Sequence, residues 1–374
     1  MLESWPELLP GERRILGVMQ ANPGITQRDL GQRLDLPQQT LSRYIADLIA
    51  GGWLRGGEWI SSGRRGHPSQ SLAVVPERMF SLGVSIMADA VAVMLVDLAG
   101  NQRAYRRYRL GVMSRKAVLD ATEAGLEELT REAGIAAAQI PGIGIAVTGF
   151  LSPRHTFNTP RSLDEWADVA IEPIFAAHFG RDCWADNDAN TAAVGEALVG
   201  VGRWARHFAY LSLGIGFGGG IIADGVLLRG RHGNAGEFGA MLHPGFHLSP
   251  SLELLRQTMA QHGAGFPNVG AMLENFDADA PGVAEWIAKV ADSLSYVCAG
   301  CMAILDPDAI VLGGRTPRTL AERIIPHIAF PDNRRRGRGR EAPPVVPAEA
   351  SGDLPALGAA LLPLQMRVFG GERR

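Results

Sequence analysis

A chain of 374 residues with 46% apolar and 20% charged residues is long enough for two or three domains and too apolar to be disordered throughout. Its formal net charge of −3 excludes a protein that is basic in bulk, so any nucleic-acid surface must be local. Cys183, Cys298 and Cys301 are too few for a disulfide framework and fit a reducing cytoplasm. The longest apolar runs, such as residues 90–96, are too short to span a bilayer, and no basic start with an apolar core follows Met1. The expectation is a cytoplasmic chain with no membrane partner.

From the N-terminus, Ile15, Leu16 and Met19 give a short helix one apolar face. Thr26 caps a second helix, with Asp29 three residues on and Leu30 and Leu34 facing inward. A turn at Asp35, Leu36 and Pro37 opens a third helix whose buried stripe is Leu41, Ile45, Leu48 and Ile49. Gln38, Gln39, Thr40, Ser42 and Arg43 lie outward at its start. There amides and a guanidinium can read adenine and guanine edges, and hydroxyls can meet phosphates or bases. After Gly51 and Gly52, strands starting at Trp53 and spanning 71–75 flank a loop whose Arg64, Arg65 and His67 can reach a phosphate backbone or minor groove. This pattern predicts a winged helix–turn–helix DNA-binding domain over residues 1–75, although its eight arginines barely exceed its seven acids.

The body alternates strands and helices. Strands are predicted at 81–86 and 90–97. A helix carries Val118, Leu119, Thr122, Leu126 and Leu129, and a buried strand follows at 143–147. A strand–turn–helix unit spans 183–196 and a glycine-rich hairpin spans 208–229. A helix at 284–305, a strand at 309–312 ending in Gly313 and Gly314, and an alanine-rich helix near 355–368 close the chain. Hairpins joined by crossover helices predict a mixed α/β body. Cys298 and Cys301 fall inside a helix, where their spacing reads as buried packing and two thiols are too few for a metal. The arginine run at 334–340 reads as a solvated loop.

Several segments then carry a resemblance in chain order: residues 28–54, GRRGHPSQSLAV after the third helix, WADNDANTAAVGE (184–196), LSLGIGFGGGIIADGVLLRG (211–230), GNAGEFG (233–239), LDPDAIVLGG (305–314) and PALGAALL (355–362). Together they resemble the ROK family of sugar-responsive repressors and sugar kinases, in its N-acetylglucosamine and xylose repressor branch. The resemblance implies an N-terminal winged helix–turn–helix followed by a two-lobed actin/hexokinase-like, ribonuclease H-like α/β body over 79–374. The small lobe would take 79–185 with the helix 355–370, and the large lobe 186–354, with sugar bound in the cleft. It also implies that Asn187, Asp188 and Glu237 hold sugar hydroxyls and that Gly149, Asn158 and Thr159 complete the site. Glu253 matches an acid that follows the family's last zinc cysteine.

Two departures shape the functional expectation. Kinases of the family begin with a hairpin reading Asp, then Gly–Gly–Thr, on phosphate and its metal ion. Here the matching positions are Ser85, Met87, Ala88 and Asp89, a side chain where backbone should close on phosphate and a carboxylate where its charge should lie. The family's zinc histidine is replaced by Ala240, and residues 241–256 hold no cysteine. Met241, Leu242, Phe246 and Leu248 are therefore expected to hold that segment by apolar packing. A substitute metal set of His243, His247 and Glu237 is disfavoured, because Pro244 and Gly245 break the helix such spacing needs. The expectation is a repressor of carbohydrate-use genes with no cofactor, no metal and no kinase activity, binding double-stranded operator DNA as a homodimer or higher homo-oligomer and released by a sugar. The alternatives are an ATP-dependent sugar kinase with an accessory DNA-binding module, or a regulator controlled by a protein partner.

Overall fold

The computed structural model describes residues 5–60, 69–152, 156–332 and 339–370. The wing residues Arg64, Arg65 and His67 lie outside them. Helix α1 (Pro10–Ala21) begins with a proline, whose missing N–H costs nothing there, and Glu12 accepts from the Leu9 amide at 2.8 Å. Helix α2 (Gln27–Leu34) is capped by the Thr26 hydroxyl, which accepts from the Asp29 amide at 3.2 Å. It ends at Asp35, whose φ of 50° turns the chain into α3 (Gln38–Ala50). Strands β1 (Leu54–Ile60) and β2 (Ser69–Val74) pair antiparallel, and a bridge from Thr26 to Ser71 ties them to the helices. Ile15, Leu16, Leu30, Leu41, Ile45, Leu48 and Trp53 fill the small core. Ile49 does not join them, being 44% exposed. It follows the buried Leu48 directly, and one residue of helix turns a side chain by about 100°.

Downstream lie β3 (Phe80–Ile86), β4 (Ala90–Asp97), β5 (Gln102–Arg109), α4 (Arg115–Ala133), β6 (Gly142–Val147), β7 (Phe150–Leu151) and β8 (Phe157–Asn158). Next come α5 (Ile171–Phe179), β9 (Asp182–Asn187), α6 (Asp188–Val199), β10 (Phe208–Leu213), β11 (Phe217–Ala223) and β12 (Val226–Leu227). The chain continues through α7 (Leu252–Gln261), α8 (Val269–Glu274), α9 (Val283–Leu305), β13 (Ala309–Gly314), α10 (Arg318–Ile324), β14 (Val345–Pro347) and α11 (Leu354–Arg367). They build two five-stranded sheets of one topology, β5-β4-β3-β6-β9 and β12-β11-β10-β13-β14. In each sheet an antiparallel hairpin is followed by a parallel crossover, to β6 from β3 and to β13 from β10.

Contacts divide the chain into two compact units. The first comprises Met1–Thr148, Thr159–Asp186 and Ala356–Arg374, and the second Gly149–Asn158 and Asn187–Pro355. Within the first, α11 lies on β3 and β6 so closely that a Cβ at Gly83 would stand 2.1 Å from the Ala356 carbonyl oxygen, and one at Gly144 1.8 Å from that of Ala359. Glycine and alanine are required at this crossing because nothing larger fits. The same helix ends against α1, where the Arg13 guanidinium donates to the Met366 carbonyl at 2.6 Å.

The second unit is built around α9. By its 23 residues and a window of mean hydropathy 1.4, this helix is long and apolar enough to cross a membrane, so the short apolar runs seen in the sequence understate it. In the fold it is a core element, with Trp286, Val290, Leu294, Val297 and Cys298 buried in one cluster with Leu211, Ile310 and Leu312. Burial also explains the thiols: loss of hydration pushes Cys301 up to about 12 and raises Cys298 as well, which makes both unreactive packing groups.

Candidate nucleic-acid interface and ligand site

The polar start of α3 faces outward. Gln38, Gln39, Ser42 and Arg43 are exposed and Thr40 is half-buried. Ser42 accepts a hydrogen bond from Gln27 Nε2 at 2.9 Å, which joins the outer surfaces of α2 and α3. Arg43 lies over the Tyr44 ring at 5.3 Å, and that ring packs where any side chain at position 11 would stand. Pro37 offers the first turn of α3 no side-chain cap, and no acid occupies that turn. The helix start therefore keeps its partial positive charge, which favours phosphate oxygens. At the base of the wing, Arg78 stacks over Trp53 at 4.7 Å and donates to the Gly51 carbonyl at 3.2 Å.

The ligand candidates gather mainly on the second unit. Asn187 is the N-cap of α6: its Oδ1 accepts from the amides of Ala189 at 2.8 Å and Asn190 at 3.1 Å. Its Nδ2 donates to the Gly149 carbonyl at 2.7 Å, which fixes the start of β7. The cap is thus Asn187 and not Asp188, whose half-buried carboxylate also accepts from the Ala189 amide at 2.9 Å. Glu237 is half-buried, and its pKa is raised chiefly by loss of hydration and further by the negative charge of Asp188. The two carboxylates therefore share one environment. Gly149 has a φ of 138°, which only glycine adopts readily, and Asn158 is exposed at the same open end of the β7–β8 pair, opposite Phe150.

Sequence reasoning passed over the residue that organises this site. Asn234 accepts from the Leu151 amide and donates to the Leu151 carbonyl, both at 2.8 Å, so it binds the backbone of β7 as another strand would. Gly236, at a φ of 99°, then crosses β11 with only 2.8 Å between its would-be Cβ and the Gly219 carbonyl, and this brings Glu237 into position. The signal was an asparagine two residues before a glycine, inside a motif read only for its glutamate. Thr159 belongs to the first unit, where its hydroxyl donates to the Leu163 carbonyl at 2.9 Å. Glu253 is engaged by Arg256 at 2.6 Å and Gln257 at 3.0 Å, and the Arg256 hydrogen bond holds its carboxyl below the usual range.

The first hairpin turn, where β3 meets β4, differs in detail from its expected form. Met87 is buried, so its side chain does not stand out as an obstacle. The Asp89 carboxylate has the Arg107 guanidinium 3.8 Å away, which tempers its repulsion of anions. The glycine backbone that would close on phosphate is nevertheless missing. On the second unit, a cavity of about 280 Å³ is lined by Gly313, Gly314, Thr316, Arg318, Glu349 and Ser351 and includes none of the ligand candidates. One wall is held by the buried Glu196, which accepts from the amides of Val201 at 2.9 Å, Glu349 at 2.7 Å and Ala350 at 3.1 Å. Among the described residues no group of three or more potential metal ligands gathers. His243 and His247 do share one helical turn, the His247 amide donating to the His243 carbonyl at 2.9 Å despite Pro244 and Gly245. The expected packing of the surrounding segment holds for Met241 and Leu242, which lie against the core, and fails for Phe246 and Leu248, which are exposed. A single turn closed by proline and glycine is too short to bury both of its faces.

Residues 81–264 match the model of the ROK family, and residues 12–55 match that of a winged helix-turn-helix DNA-binding module. Uncharacterized protein y4fQ of Sinorhizobium fredii is 28% identical over 98% of this chain and 93% of its own length. The Xylose repressor of Caldicellulosiruptor bescii is 28% identical over 60% of this chain, and the match spans just 56% of that relative. Among solved structures, a ROK family transcriptional regulator described as a homolog of the E. coli MLC protein is similar at a TM-score of 0.64 and 20% identity, over 96% of both chains. A ROK family glucokinase from Streptomyces griseus, in complex with glucose and AMPPNP, is similar at a TM-score of 0.62 and 22% identity, over 76% of this chain and 98% of that one. These likenesses carry the fold: a winged helix–turn–helix in front of a two-lobed actin/hexokinase-like body.

Proposed function

We propose that this chain, which joins a ROK family domain to an N-terminal winged helix-turn-helix, is a sugar-responsive transcriptional repressor that has lost kinase activity. The observation that carries the proposal is the exposed amide, hydroxyl and guanidinium face of α3, attached to a body that keeps two carboxylates in one environment but lacks the first phosphate hairpin. Gln38, Gln39 and Arg43 would read base edges, Thr40 and Ser42 would meet phosphates or bases, and Arg64, Arg65 and His67 would follow the adjacent backbone. The Xylose repressor among its relatives supports the same assignment. It would act in the cytoplasm on a near-palindromic operator, as a homodimer whose two α3 helices enter successive major-groove turns.

On the ligand side, Asp188 and Glu237 would accept hydroxyl protons, and Asn187, Asn158 and Gly149 would shape the pocket, because each buried polar group of a sugar must find a partner. A sugar that releases the operator must bind the free protein better than the bound one, and the operator must then weaken the sugar to the same degree. The test begins with a duplex selected from a random pool by the purified chain, followed by titration with a panel of sugars. One or more sugars should lower the affinity, and Asp188→Ala should bind the duplex normally but answer to none. Steady ADP release from ATP with any sugar of the panel would instead make the chain a kinase and overturn the proposal.

A further inference from the structure

In the N-terminal module one side-chain hydrogen bond crosses between α2 and α3. Gln27 opens α2, and its Nε2 donates to the Oγ of Ser42, one turn into α3, at 2.9 Å. Both ends of this bond are held in place. Thr26 caps α2 and bridges to Ser71 of β2, and the Ile25 carbonyl accepts from the Leu72 amide at 3.1 Å, so the start of α2 is fixed to the wing sheet. On α3, Leu41 and Ile45 are buried on either side of Ser42. The two helices approach this closely because Gly31, one turn after Gln27, has no side chain: a Cβ there would stand 3.1 Å from Leu41 Cδ2. Ser42 itself is exposed and shares one helix face with Gln39 and Arg43, at the i, i+3 and i+4 spacing.

A hydroxyl has one proton and two lone pairs, so an unconstrained serine can read either a donor or an acceptor on a base edge. The Gln27 amide removes that choice. Its N–H occupies a lone pair of Ser42 Oγ and repels any rotation that would turn the hydroxyl proton towards it. Among the described residues no backbone carbonyl accepts that proton, which leaves it for the outer face. We infer that Gln27 is a positioning residue for base specificity: by making Ser42 a hydrogen-bond donor, it has α3 reject cytosine at the position Ser42 faces. The inference rests on the repressor reading, in which α3 enters the major groove, and adds what one of its side chains reads there. Guanine N7 and O6, thymine O4 and adenine N7 can each take the Ser42 proton. Cytosine offers only its amine on that edge, and two donors facing each other leave both unsatisfied.

The test is the base preference of the full-length protein, read by sequencing the duplexes it selects from a random pool. Wild type should disfavour cytosine roughly tenfold at one position of each half-site. Ser42→Ala should lose that discrimination and keep the preferences at the other positions. Gln27→Met, which keeps the side-chain length without its polar end, should relax it too, because the hydroxyl is then free to turn either way. Gln27→Glu should reverse it. A carboxylate only accepts, so it takes the Ser42 proton and leaves the Oγ lone pairs facing the groove, where the cytosine amine can donate to them. The charge added by Gln27→Glu weakens binding to every sequence alike through the phosphates, and so does not move a base preference. Gln27 is half-buried and Ser42 exposed, so all three variants should keep the wild-type circular dichroism spectrum. If the hydrogen bond only braced the two helices, Gln27→Glu could still form it and would keep the wild-type preference. That result, or unchanged preferences in Ser42→Ala, would overturn the inference and leave the repressor reading standing. A wild type that selects no duplex would overturn the repressor reading, and this inference with it.

Discussion

Glu237 is the residue on which the proposed ligand site can be tested without knowing the ligand. Burial raises its pKa first and the charge of Asp188 second, so its folded value lies above the ordinary glutamate value of 4.5. The sign follows from linkage. A carboxyl with a raised folded pKa contributes stability that is complete below the unfolded value and lost as pH rises through the folded one. At neutral pH the ionised side chain therefore weighs against folding, as polar groups held for a ligand commonly do. Glu237→Gln should unfold at a higher temperature than wild type at neutral pH, with the gap closing as pH falls below the glutamate range. Thermal scans across pH read this directly, and a gap independent of pH would mean that the carboxyl is not strained by its surroundings. An ionised carboxylate accepts hydroxyls at both oxygens and more strongly than a carboxamide, which accepts at one, so under the proposed sugar-binding role the stabilised variant should be the one that responds less to ligand.

At the level of elements, α6 shows how the site depends on a helix start. Asn187 satisfies two amides of the first turn and holds Gly149 with its other end. Asn187→Ala should cost about 1 kcal/mol, read as a lower urea midpoint at unchanged slope, and Asn187→Asp should recover much of it by restoring the cap alone. Which elements could be read from the sequence follows the same physics. Strands β3 and β4 are buried at every position and stand out as apolar runs, whereas β5 buries only Ala104 and carries arginines and tyrosines, so its alternation is hidden. Helix α5 has Pro173 inside its first turn and reads as broken. In the site, Asp188 and Glu237 were legible as carboxylates within motifs. Asn234 was not, nor was Glu196 at the wall of the separate cavity, because each works by binding backbone far away in sequence, at Leu151 and at Ala350 respectively, and one chain read in order cannot show that. The exposure of Phe246 was missed for a related reason: hydrophobicity predicts burial only where the fold supplies a partner surface.

For the molecule as a whole, the question is what holds the DNA-reading head. Within the first unit, α11 packs its alanines onto the sheet through Gly83 and Gly144, and its end meets α1. Gly17 sits in the interior of α1, where glycine is about 1 kcal/mol worse than alanine for the helix itself. Its place is explained by contact, since a Cβ there would stand 2.5 Å from the Phe369 carbonyl oxygen. Gly17→Ala therefore sets two effects of opposite sign against each other. Helix propensity alone would stabilise the head. Overpacking against a backbone carbonyl, which cannot rotate away, costs typically 1–3 kcal/mol and should win. The variant is expected to be cleaved faster by a protease near residues 75–79, to keep its circular dichroism spectrum, and to bind the selected duplex more weakly. Greater protease resistance would show instead that the chain end does not bear on α1. In the expected case, the packing of the N-terminal winged helix–turn–helix depends on residues more than three hundred positions away in the chain.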